Sequence, residues 1–205
     1  MLGSFRGTHV WRNFTRKSNP VMADNQLQRH IFRASVGDII TVDGKATAPG
    51  VAGDGTEQVT YVSIALSGEG FLYHMCRKIA GLTFAVAAGL VPESAIETAL
   101  KQHSETDGYV VPTAPGELLY LAECNYAKYE QKHKASLWHA EECKTEMQDF
   151  KNKIRQHVVA LDDASNIFRD WADTDLKKWC AAWRDGDEAA LKPATCETDN
   201  SPQED

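Results

Sequence analysis

Three side chains capable of chemistry lie within five residues in the longest apolar stretch of the chain, Ser67–Gly89 (SGEGFLYHMCRKIAGLTFAVAAG): His74, Arg77 and Lys78. An imidazole, a guanidinium and an ammonium can bind phosphate, orient a carboxylate or move a proton. Arg77 is the most demanding of them. In a helix, Tyr73 lies one turn before it, Gly81 one turn after and Phe84 two turns on, so the cation sits among aromatic and small residues. A guanidinium left buried and unpaired is costly, so an anionic partner is expected. His74, one turn before Lys78, has two readings, a substrate contact or a hydrogen-bonded helix histidine.

Other chemistries find little support. The seven histidines show neither HxxxH nor HxH spacing, which argues against a metal site. GxSxG, the P-loop and the dinucleotide fingerprint are absent. Gly53-Asp54-Gly55-Thr56 has no lysine or following helix to make it a phosphate turn. Asp162-Asp163 reads as a pair of helix-capping carboxylates. The five cysteines are odd in number and form no CxxC pair, which fits a reducing, intracellular compartment. Net charge is −7, yet residues 1–35 carry six basic groups against Asp24 alone. Arg12, Arg16 and Lys17 on the outer side of a short helix anchored by Trp11 and Phe14 would be a phosphate-contacting patch or an ordinary solvated face.

These residues need a frame to hold them. The spacing predicts a helix across the apolar stretch, with Phe71, Leu72, Met75, Ile79, Leu82 and Val86 in one stripe about 100° wide and a stop at Gly89. Alternation predicts a strand over Val59–Ser67, with Val62, Ile64 and Leu66 on one face. Strands are also expected at His30–Ser35 and Ile39–Asp43, broken at Gly37-Asp38, and at Leu118–Tyr126. Residues 20–27 and 44–58 read as loops, and Glu93–Gln102 as a short helix. Strands and helices mix without a βαβ repeat, so the class is α+β.

Composition is that of a globular chain, 42% hydrophobic and 25% charged over 205 residues. No apolar run approaches a membrane span, and the start lacks a signal-peptide pattern. From 131 onward glycine disappears over long stretches and two or three amphipathic helices are expected on the outside of the sheet. The division expected is 1–130 as the main subdomain, 131–184 as a helical extension and 185–205 as an acidic tail without fixed structure.

Three segments carry a resemblance: Gly7-Thr8-His9-Val10-Trp11-Arg12-Asn13-Phe14-Thr15, then Gly70-Phe71-Leu72-Tyr73-His74-Met75-Cys76-Arg77-Lys78-Ile79-Ala80-Gly81, then Thr113-Ala114-Pro115-Gly116-Glu117-Leu118-Leu119-Tyr120-Leu121. In this order and spacing they resemble the TruA-type tRNA pseudouridine synthases, eukaryotic branch, whose patterns are GTHxFxNFT, GxFLxHMxRKIVG and TAPxxGLYL. The resemblance implies a mixed, mostly antiparallel sheet packed by a central helix and by C-terminal helices. It implies an isomerase that breaks a uridine's glycosidic bond and rejoins the base through carbon, without a cofactor.

By position, Arg77 matches the arginine that pairs with the family's catalytic aspartate, and Leu119 the leucine packed on the target base. Leu118 stands where the family has glycine. The aspartate's R-[TS/A]-D-x-G-V motif is absent, so the chain is expected to be the C-terminal half of such an enzyme, inactive alone. Its implied partners are tRNA and the missing N-terminal half, with no membrane. His74, Lys78, His9, Arg12, Arg16 and Lys17 are the expected substrate contacts. A nuclear or mitochondrial location fits either way, and the uncovered cleft near Tyr73, Phe84 and Leu119 is expected to self-associate. The alternatives are a non-catalytic RNA-binding or assembly protein that keeps the fold, and a structural module built on the acidic helices.

Overall fold

The structure, a computed structural model, describes residues 1–15, 22–44, 57–101, 110–134 and 141–186. Three strands form one antiparallel sheet in the order β1 (Gly7–Val10), β2 (Gln28–Gly44), β3 (Glu57–Gly68). The helices are α1 (Asp24–Leu27), α2 (Met75–Ala87), α3 (Ser94–Leu100), α4 (Ala127–His133), α5 (Glu141–Ser165), α6 (Ile167–Trp171) and α7 (Lys177–Asp185). A π-helical turn, Ala172–Leu176, joins the last two. The α+β class holds. Among the described residues no helix is long and apolar enough to cross a membrane, and Cys76, Cys124, Cys143 and Cys180 are free thiols.

The chain divides into two compact units. The first comprises Met1–Asp38, Val62–Ala114 and the described residues from Trp171 on. Its core begins with Phe5, Trp11 and Phe14, all fully buried. Their ring centroids lie 5.2 to 6.4 Å apart, and Trp11 Nε1 donates to the Arg29 carbonyl at 3.0 Å. In α2, Met75, Ile79, Leu82 and Ala85 are fully buried, joined by Ile31 and Ala34 of β2 and Ala95, Ile96 and Ala99 of α3. Each large side chain so buried contributes about 1.5–3 kcal/mol. Trp171 meets Phe84 of α2 with centroids 5.9 Å apart, and Trp179 Nε1 donates to the Val110 carbonyl at 2.6 Å. The tryptophans of the last helices therefore rest on α2 and the 110–114 segment.

The second unit comprises Ile39–Tyr61 and Pro115–Asp170. Tyr61 donates its hydroxyl proton to Asp162 Oδ2 at 3.1 Å, while Asp162 Oδ1 accepts the Phe168 N–H at 2.9 Å. Burial and that carboxylate push the Tyr61 phenol up to about 12. Asp162 caps the following helix, as a carboxylate should, but from the last turn of α5 and not from a helix start. Asn166, with φ of +51°, makes the corner between α5 and α6.

Several expected boundaries differ. The apolar stretch is helical only from Met75, because His74 adopts a left-handed φ of +67° and stops the helix from extending backward. Phe71, expected in the buried stripe, is 40% exposed. The stop at Gly89 stands: its φ of +67° is the left-handed cap geometry that glycine accepts. Strand β2 runs without interruption through Gly37-Asp38, since β3 pairs beside it and Ser63 Oγ donates to the Asp38 carbonyl at 3.0 Å. Residues 24–27 form a helical turn and not a loop. Val62 is 55% exposed and Ile64 and Leu66 are only half-buried, so the face they share is partly covered and not buried. Trp11 and Phe14 are neighbours as expected, but on a single 3₁₀ turn, Arg12–Phe14, following a strand.

Leu118–Tyr126 is not a strand. Its residues favour β structure, yet the described sheet consists of β1–β3 and offers this segment no ladder for its amides. Most of the 44–58 loop and the tail from 187 on lie outside the described residues.

The corrected helix start has a measurable consequence. Leu82→Ala should destabilise the chain by about 2–5 kcal/mol, and Phe71→Ala by no more than about 1 kcal/mol, in urea titrations. Comparable losses at both positions would return Phe71 to the core.

Candidate functional site

Helix α2 begins with a charge problem. Arg77 and Lys78 lie in its first turn, where the helix already presents positive partial charge, and that turn has no acidic residue. Two cations here need acceptors. Lys78 finds them in the first motif: Nζ donates to the Asn13 and Thr15 carbonyls, each at 3.0 Å. Both carbonyls belong to the Arg12–Phe14 turn and its end. Asn13 is itself buried and donates from Nδ2 to the Ala99 carbonyl of α3 at 3.0 Å. Thr15 Oγ1 donates to the Tyr73 carbonyl at 3.2 Å. Burial pushes the Lys78 ammonium down to about 8.

Arg77 finds half of what it needs in the third motif. Its Nε donates to the Ala114 carbonyl at 2.6 Å. The Ala114 N–H in turn donates to the Arg77 carbonyl at 3.1 Å. One turn on, Gly81 lets the two segments touch: a Cβ there would stand 2.4 Å from the Pro112 carbonyl oxygen. No larger residue permits that approach. Arg77 is thus held by its Nε, leaving the two terminal nitrogens of the fork for another group. Among the described residues no carboxylate lies within ion-pair distance of it. The neighbouring Cys76 is kept as a thiol, its pKa pushed up to about 11 by burial.

His74 occupies the left-handed corner before α2, with its ring stacked on Tyr73 at 4.1 Å. Tyr73 is 64% exposed, so the pair forms an open aromatic step near the helix start. Backbone strain at a non-glycine residue of this kind gathers at functional sites.

The remaining expected contacts fare differently. His9 Nε2 donates to the Arg6 carbonyl at 3.0 Å, and the ring meets Trp11 edge-on. Arg12 does not lie free on an outer face: it is paired with Asp24 and reaches toward the Met22 carbonyl at 3.5 Å, with only 15% of its side chain exposed. The acid that α1 brings back against the turn neutralises it. Arg16 and Lys17 lie outside the described residues. Leu119 belongs to the second unit, where it is exposed and its N–H closes a turn on the Gly116 carbonyl at 3.0 Å. Leu118, in the place of a family glycine, does not have a positive φ, so a side chain is accommodated there.

Sequence reasoning singled out Arg77 and missed its anchor. Ala114 acts through backbone atoms, which no residue type advertises. The same holds for the two carbonyls that take Lys78, although both lie inside a motif. The three segments read separately in the sequence thus come together: α2 holds the first through Lys78 and the start of the third through Arg77 and Gly81.

The family model described as tRNA pseudouridine synthase matches residues 1–127. The chain belongs to this family. Among curated relatives, the mouse protein named Pseudouridylate synthase 1 homolog is 25% identical over 85% of this chain and 38% of its own length. Its human namesake is 28% identical over 64% of this chain and 26% of its own length. A bacterial tRNA pseudouridine synthase A, from Streptococcus thermophilus, is 31% identical over 58% of this chain and 40% of its own length. The chain thus spans well under half the length of the curated relatives it matches.

Lys78 makes a pH-dependent contribution to stability in this chain. The folded state releases the Lys78 proton at about 8, against an ordinary value of 10.5. Between those values the unfolded chain binds more protons, so stability rises with pH there. The stability of wild type relative to Lys78→Met should be flat below pH 8 and rise above it by up to about 1.4 kcal/mol per pH unit. Urea denaturation of both proteins along a pH series reads this directly, and a flat difference throughout would show that Lys78 titrates normally.

Proposed function

We propose that this chain acts as the C-terminal part of a tRNA pseudouridine synthase and supplies the arginine of the active-site cleft. Arg77 carries the reading. It lies in one family motif, is oriented by a second through Ala114, and has no carboxylate within ion-pair distance among the described residues. In the longer enzyme, its terminal nitrogens pair with the catalytic aspartate of the N-terminal half. Such a pair keeps the carboxylate ionised and fixed in direction. The reaction is an isomerisation: the N1–C1′ bond breaks, a C5–C1′ bond forms, C5 loses a proton and N1 gains one. Its atoms and electrons balance without any co-reactant. Leu119 packs on the target base, and the His74–Tyr73 step lies where the substrate strand passes.

The second reading, an RNA-binding or assembly protein that keeps the fold without catalysing, draws on the missing R-x-D-x-G-V motif. In both readings the exposed Leu119, Leu121, Tyr126 and Phe150 of the second unit are covered by the N-terminal half, or by a second copy when that half is absent.

The 205-residue chain alone should form no pseudouridine on labelled tRNA. In an enzyme of full family length, Arg77→Ala should lower turnover at least about a thousandfold, the scale of losing a charge-stabilising donor, while tRNA affinity changes little. Turnover by the isolated chain would show that the aspartate is supplied within it. Unchanged rates for Arg77→Ala in the long form would remove Arg77 from catalysis.

A further inference from the structure

Strand β2 displays a feature that the Arg77 site does not use. Residues 3–7 and 30–32 enclose an open depression of about 330 Å³, lined by Gly3, Arg6, Gly7, His30, Ile31 and Phe32. It is open to solvent over most of its boundary, so it could flank a nucleotide without enclosing it. The Ile31 side chain is buried on the core face of β2, while Phe32 stands 46% exposed. The His30 ring lies 5.0 Å from Phe32. Its direction is fixed across the sheet, where Thr8 is the register partner of His30 and Thr8 Oγ1 shares a 2.7 Å hydrogen bond with His30 Nδ1.

Arg6 forms the rim. Its backbone is anchored at both ends of the peptide, the N–H to the Gly3 carbonyl at 3.1 Å and the carbonyl to His9 Nε2 at 3.0 Å. Its side chain is exposed and, among the described residues, has no ion-pair partner. Arg29 and Arg33 alternate with His30 and Phe32 along β2 and belong to its other face, tethered to Gln26 and Gln28 carbonyls and to Ser35 Oγ respectively. Glu69, whose N–H donates to the His30 carbonyl at 3.1 Å, brings a carboxylate to the neighbourhood.

We propose that this depression is a subsite for one unpaired nucleotide of an RNA strand, with the base stacked on Phe32 beside His30 and a flanking phosphate on Arg6. An exposed ring beside a guanidinium suits single-stranded nucleic acid, since every base has a π face and every nucleotide a phosphate. An apolar peptide or a second copy of the chain would use the ring and leave the charge unanswered. The subsite rests on the RNA reading above and extends it to a strand that no motif assigns.

The test is fluorescence anisotropy of the 205-residue chain with a short unpaired oligoribonucleotide and, separately, with tRNA, across a salt series. Phe32→Leu should weaken oligonucleotide binding about tenfold and Phe32→Tyr should restore it. Arg6→Gln should lower the slope of log affinity against log salt by about one. Wild-type RNA binding with both variants unchanged would overturn the subsite and leave the synthase reading standing. A wild-type chain that binds neither RNA would overturn both for this chain. Should Phe32→Leu melt early, photocrosslinking of wild type to a 4-thiouridine oligonucleotide decides the matter: crosslinks at residues 30–32 support the subsite, and crosslinks only elsewhere overturn it. A dimer that forms without RNA and is lost in Phe32→Leu would also overturn it, by giving the ring to a second copy.

Discussion

Between Arg77 and Ala114 the chain makes a two-way clasp, one backbone N–H to carbonyl bond and one guanidinium Nε to carbonyl bond. It can close only because Gly81, one turn later, lets the Pro112 carbonyl come against the helix. The clasp does two jobs with the same atoms. It docks the 112–114 segment on α2, and it sets the direction of a cation that an unanchored arginine would leave to its rotamers. A long side chain held at one nitrogen gives up conformational entropy during folding and not during binding.

Lys78 shows the contrasting use of a cation one residue away. Its ammonium is satisfied by two carbonyls within the chain, and burial has lowered its pKa to about 8. Arg77 and Lys78 reach from one helix turn toward different motifs, and only Arg77 keeps donors in reserve. A cation at a helix N-terminus is disfavoured by the backbone dipole. An anion at Arg77 would gain from the guanidinium and the helix end together. On the proposed reading, this favours a carboxylate over another neutral acceptor.

Much of this was legible in the residues. The buried stripe of α2, the stop at Gly89, strand β3 and the helices within 141–185 follow from periodicity and glycine placement. Arg77 stood out because a guanidinium among apolar neighbours is costly. What escaped was long-range. Nothing local announces that His74 takes a left-handed turn, that Asp24 returns to neutralise Arg12, or that Leu118–Tyr126 finds no strand partner. Each depends on residues distant in sequence or on backbone atoms, and propensity carries no information about either. The depression beside Phe32 escaped for the same reason, since it forms only when residues 3–7 lie along β2.

The proposed role of Arg77 is to receive a carboxylate. The most direct measurement is a crystal structure of an enzyme of full family length that contains this chain. The expected result is a carboxylate from outside residues 1–205 within hydrogen-bond range, about 2.7–2.9 Å, of the terminal nitrogens of Arg77, with Nε still on the Ala114 carbonyl. A guanidinium turned away from Ala114, or one bonded only to water and carbonyl groups, would contradict it.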